Sequence, residues 1–135
     1  MNELTLEARV DNLMRVLDFV DGHLEAANCP EKVQTQIDIA VEELFVNIAS
    51  YAYGEETGSA TIRVETEEPY HAVAITLIDS GIPYNPLAKE DPDVTLSAEE
   101  RKIGGLGIYM VKQSMDAVSY EYRDGRNVLR IRKNF

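Results

Sequence analysis

The chain is poor in the residues that build covalent or metal scaffolds. Its 135 residues include one cysteine, Cys29, and two histidines. One thiol makes no internal disulfide, and a reducing interior suits such a chain, so a cytoplasmic location is expected. One cysteine and two histidines also argue against a structural zinc site. No apolar run is long enough to cross a bilayer, and the first residues lack a secretory pattern, so no membrane partner is expected. Basic residues are scarce: 13 Lys and Arg stand against 24 Asp and Glu, a formal net charge of −11. Phosphate repulsion then opposes a nucleic-acid partner. The bases that are present crowd toward the C-terminus as Arg123, Arg126, Arg130, Arg132 and Lys133, in the manner of a solvated strand face. There is no repeat, low-complexity tract or linker. With 44% hydrophobic residues, residues 1–135 suit a single domain with a proper core.

Hydropathy phase lays out the elements. Residues 3–8 alternate apolar and polar, which predicts a half-buried strand. Val10, Leu13, Leu17, Val20 and Leu24 predict an amphipathic helix over residues 10–27. Asn28-Cys29-Pro30 ends it, since proline cannot continue a helix and restricts its predecessor. A second helix runs from Glu31 toward Gly54, with Val33, Ile37, Val41, Leu44 and Ile48 as its apolar stripe. Residues 60–66 alternate as a strand, and Glu68-Pro69 marks a turn. Residues 72–78 are apolar or small on both faces, as in a central strand. Regular structure fades from Gly81 to about Lys102, where prolines and acids collect. A short helix then opens at the Gly104 stretch, with Ile108, Val111 and Met115 on one face. Two strands, residues 117–123 and 127–134, close the chain across an Asp124-Gly125 hairpin signal. This order predicts an α/β (α+β) two-layer sandwich: a mixed, mostly antiparallel sheet with the helices on one face.

Three stretches carry candidate chemistry. On the second helix, Glu43 and Asn47 are four apart and share a face. A carboxylate beside a carboxamide forms an oxygen-rich ledge. It suits Mg²⁺ held through its waters, or a hydroxyl that must lose a proton; it also suits an ordinary solvated face. Asp79-Ser80-Gly81 follows the central strand. A carboxylate there is mostly dry and needs a donor. The exocyclic amine of a base would serve, with Gly81 letting a flat ring approach; a plain strand-ending turn uses the same residues. Gly104-Gly105-Leu106-Gly107 leads into a helix, where unhindered N–H groups form an anion site, unless the glycines serve as a hinge. The stretch is not a Walker A loop, for no Gly-Lys-Ser/Thr follows. Nor is it a dinucleotide fingerprint, because it opens no βαβ unit.

In this order the three stretches resemble the ATP-binding domain shared by gyrase, histidine kinases and MutL, a histidine-kinase-like ATPase domain. Within that superfamily the chain looks most like the bacterial anti-sigma-factor serine/threonine kinases. The likeness covers nearly the whole chain and rests on residues 42–53, 79–86 and 104–116. It implies that Glu43 is the general base and Asn47 the Mg²⁺ ligand. Asp79 would bind the adenine amine with Gly81 beside it. Gly104, Gly105, Leu106 and Gly107 would surround the phosphates, and residues 85–103 would form a mobile lid. ATP and Mg²⁺ are the implied cofactors. The implied activity is that of a regulator, often dimeric, which binds a sigma factor and transfers the ATP γ-phosphate to a serine of an antagonist protein. Tyr51 departs from the family, standing where many relatives carry histidine. Ile82-Pro83-Tyr84-Asn85-Pro86 departs as well, replacing a second glycine. That variant looks like a broader group of stand-alone anti-sigma-like regulators, whose partner need not be a sigma factor. The alternative is a nucleotide-gated binding module that sequesters a partner with little or no transfer. A histidine kinase catalytic domain is not expected, since 135 residues leave no room for a phosphoacceptor hairpin.

Overall fold

The strand whose sequence is apolar or small on both faces takes the centre of the sheet. A computed structural model of the protein describes residues 2–67, 71–88 and 105–135. In it β3 (Ala72–Asp79) lies between β2 (Ser59–Glu67) and β5 (Arg126–Asn134). The edges are β1 (Glu3–Glu7) beside β2 and β4 (Ala117–Arg123) beside β5. The order is β1-β2-β3-β5-β4, and every pairing among the described residues is antiparallel, with none of the parallel pairing that a mixed sheet would have.

Register sorts the two faces. Ile62 opposes Leu77, which opposes Leu129, and Val64 opposes Ile75, which opposes Ile131; all six are buried on the helix side. One residue out of phase, Arg130 and Arg132 alternate with Leu129 and Ile131 and so take the open face. There Arg132 Nε meets Glu67 Oε2 at 2.6 Å, and Arg63 Nε meets Glu3 Oε1 at 2.6 Å. Lys133 turns the other way, and its Nζ donates to the Ser114 carbonyl at 2.7 Å. The C-terminal basic cluster is thus largely a solvated strand face. Asp124 and Gly125 both have positive φ (54° and 79°), as the two-residue turn between β4 and β5 requires.

The helices α1 (Leu13–Ala26), α2 (Glu31–Tyr51) and α3 (Gly105–Ser114) cover the apolar face, with α2 between the other two. That position widens its buried stripe. Ala40 and Phe45 join Ile37, Val41 and Leu44 inside, while Val33 and Ile48 are partly buried at its ends. The first helix departs from expectation at its start. Residues Val10–Asn12 form a 3₁₀ turn, whose tighter winding carries Val10 out of phase with the stripe, and Val10 is exposed. Val20 and Leu24 are buried as expected, Leu13 and Leu17 pack partly buried against the core, and Val16 joins the contact. Ile108, Val111 and Met115 are buried as the spacing predicts. The expected Glu68-Pro69 turn falls outside the described residues. A short 3₁₀ turn, Pro86–Ala88, appears where no regular structure was expected.

Candidate functional site

Asp79 ends β3 facing inward and is only 6% exposed. A dry carboxylate needs donors, and the chain supplies some of its own. Oδ1 accepts the Gly81 N–H at 2.9 Å and Nδ2 of Asn127, also at 2.9 Å. No hydrogen bond among the described residues reaches Oδ2, and Asp79 lines an open cleft of about 420 Å³ with the adjoining solvent space included. The floor of this cleft is apolar, from Leu44, Leu77 and Leu129. Tyr51 and Ile82, both well exposed, stand at its rim. A cleft with an apolar floor and one charged acceptor in its wall suits a heteroaromatic base.

Asn127 sits opposite Asp79 in the β3–β5 register and is as deeply buried. Besides its bond to Asp79, its Nδ2 donates to the Ile82 carbonyl at 2.9 Å. Its Oδ1 accepts the Tyr84 N–H at 3.1 Å and the Tyr120 hydroxyl. Next to this group, the Tyr53 hydroxyl accepts the Ser80 N–H at 2.8 Å and donates to the Ser59 carbonyl at 2.6 Å. Burial pushes the Tyr53 phenol up, the Ser80 N–H pulls it back, and the charge of Asp79 adds to the rise. The loop after Asp79 is therefore tied to β5 and to the end of α2.

Asn47 lines the same cleft from α2. Its Oδ1 is buried and has no hydrogen-bond partner among the described residues. An orphaned oxygen of this kind costs about 1–3 kcal/mol, so the position fits a ligand that satisfies it. Mg²⁺ fits: it accepts hard oxygen donors and is usually held by one or two side chains together with phosphates and water. No cluster of three His, Cys, Asp or Glu side chains among the described residues offers a protein-only metal cage.

Glu43, one turn earlier, is not among the walls of the cleft. Its carboxylate lies against α3 instead, where a Cβ on Gly107 would come 2.1 Å from Oε1. Gly105, Leu106 and Gly107 form the first turn of α3, and Gly104 lies outside the described residues. So do residues 89–103, most of the expected lid. Gly81 meets the end of α2. A Cβ there would sit 2.2 Å from the Ala52 carbonyl oxygen, which also accepts the Ile82 N–H at 2.9 Å. Its bare Cα admits the end of α2. The structure thus unites Asp79 and Asn47 in one cleft and pairs Glu43 with Gly107.

Asn127, Tyr120 and Tyr53 are the participants that the sequence motifs did not single out. Asn127 carried a signal: it shares the inward phase of Leu129 and Ile131, where a polar side chain needs a reason.

A family model described as the histidine kinase-like ATPase domain matches residues 6–133. The chain belongs to that family. Serine/threonine-protein kinase BtrW of Bordetella bronchiseptica is 26% identical over 98 residues, covering 73% of this chain and 68% of BtrW. Serine-protein kinase RsbW of Listeria monocytogenes is 31% identical over 98 residues, covering 69% of this chain and 61% of RsbW. RsbW of Bacillus mycoides is 30% identical over 95 residues, with 67% and 58% covered. This ATPase domain therefore spans less than two thirds of the RsbW chains it matches. Among solved structures, the catalytic domain of the histidine kinase ThkA shares the fold. It has a TM-score of 0.50 and 20% identity, over 96% of this chain and 97% of that one.

Proposed function

We propose that this ATPase domain is an ATP-dependent protein serine/threonine kinase acting as an anti-sigma-factor-like regulator. The observation that carries the reading is the pairing, in one cleft, of a half-satisfied carboxylate at Asp79 with an orphaned oxygen at Asn47. One is suited to a base amine and the other to a metal beside phosphates. The serine kinases BtrW and RsbW support the choice of activity.

In this reading Asp79 Oδ2 accepts the adenine amine, and Leu44, Leu77 and Leu129 pack under the ring. Asn47 Oδ1 would hold Mg²⁺, which would supply charge neutralisation at the phosphates. The N–H groups at the start of α3 receive phosphate oxygens. Glu43 takes the proton from the incoming serine as its oxygen bonds to the γ-phosphorus and the bond to the β-phosphate oxygen breaks, leaving ADP. The phosphorylated protein would be an antagonist of a sigma factor or of another regulatory protein, and the sequestered partner would be that factor. The chain would work as a homodimer in the cytoplasm.

A second reading is a nucleotide-gated binding module with little or no transfer. It is favoured by one observation: the Glu43 carboxylate packs on Gly107 instead of walling the cleft. Labelled ATP with Mg²⁺ and a captured partner separates the two. Label on a partner serine supports the kinase. Capture that depends on ATP without any label supports the module.

A further inference from the structure

Asn127 has all of its hydrogen-bonding capacity taken. Its two N–H donors go to Asp79 and Ile82, and its oxygen accepts from Tyr84 and Tyr120. A flipped amide would set donor against donor and acceptor against acceptor, so these partners determine its orientation. We propose that Asn127 is the positioning residue of the base subsite: by clasping Asp79 Oδ1 and the backbone of residues 82–84 together, it makes Asp79 a reader of a purine's exocyclic amine.

The inference rests on the ATP reading above and deepens it. A carboxylate free to rotate presents either oxygen, and ordering it on binding costs affinity. Here Oδ1 is held in advance by Gly81 and Asn127, which leaves Oδ2 as the oxygen for a ligand. The same amide holds the Ile82 carbonyl and the Tyr84 N–H, so the loop that carries the cleft rim stands at a set distance from that oxygen. A core asparagine that only filled space would engage neither the acceptor nor the rim.

The test removes the amine from the ligand and the clasp from the protein. ATP is compared with purine riboside triphosphate, which lacks the exocyclic amine, by calorimetry on wild type, Asn127→Asp and Tyr120→Phe. Wild type should prefer ATP by about tenfold or more. Asn127→Asp keeps the shape but puts an acceptor where the donors were, so the preference should fall toward one. Tyr120→Phe removes one support of the amide, so the preference should fall by a smaller factor. A role in folding alone would weaken both ligands equally and leave the ratio intact. Folding of each variant is checked by circular dichroism. A folded Asn127→Asp with the wild-type ratio overturns the inference. If that variant does not fold, a wild-type ratio in Tyr120→Phe overturns it. A wild type that binds both ligands equally overturns the base assignment itself and the inference with it.

Discussion

The carboxylate of Glu43 rests on the bare Cα of Gly107, where a Cβ would come 2.1 Å from Oε1. This joins the middle of α2 to the first turn of α3. Glu43 and Gly107, far apart in sequence, are thereby brought side by side. The glycine matters here for the space it leaves beside an acid.

Gly107→Ala should therefore act on chemistry before stability. The obstructing atoms are the tip of a flexible side chain, so the new methyl displaces Glu43 and not the backbone. Alanine also favours a helix by about 1 kcal/mol over glycine. The thermal midpoint should hold or rise, while single-turnover transfer falls about a hundredfold, the usual cost of misplacing a reacting group.

Gly81→Ala should do the reverse. Its Cβ would meet the Ala52 backbone oxygen at 2.2 Å, and backbone cannot swing aside. The loop after Asp79 must shift or the bond from the Ile82 N–H must break. Urea denaturation should show a loss of about 1–3 kcal/mol.

Asn47→Ala should uncouple metal from nucleotide. The side chain makes no hydrogen bond through Oδ1 and its loss removes an unsatisfied buried oxygen, so the nucleotide-free protein should stay folded with a urea midpoint unchanged or raised. Calorimetry with and without Mg²⁺ should show the metal's benefit to ATP binding reduced in the variant, with metal-free affinity nearly unchanged.

Asp38 on α2 gives a pH dependence of stability. Burial, a hydrogen bond with Asp21 and the charges of Asp21 and Glu25 push its carboxyl up to about 8, from an ordinary 3.8. Between those values the folded state holds a proton that the unfolded chain releases. Stability must then fall as pH rises through that window. Asp38→Asn removes the ionisation. The wild-type thermal midpoint should drop between about pH 5 and about pH 8, and the variant's should drop much less.

Much of this was legible in the sequence because period and burial agree. The small and apolar run in residues 72–78 marked the central strand, and Asp79 at its end was found by position. The stripe on α2 marked its core face and left Glu43 and Asn47 at the margin. Other features depended on long-range contact. That Gly81 meets Ala52 and Gly107 meets Glu43 follows from how elements pack, which local pattern does not carry. Asn127 gave only a phase anomaly, and its four partners become visible once β3 and β5 are paired. Val10 fitted the helical spacing but sits in a 3₁₀ turn, where that spacing does not apply.

The central claim is that Glu43 on α2 serves as the base for phosphoryl transfer, and Glu43→Gln tests it most directly. The variant keeps the shape and the packing on Gly107, and Glu43 does not wall the cleft. ATP affinity by calorimetry should match wild type, while single-turnover transfer to a partner serine should fall about a hundredfold or more. A variant that binds ATP normally and transfers phosphate at the wild-type rate would contradict the account.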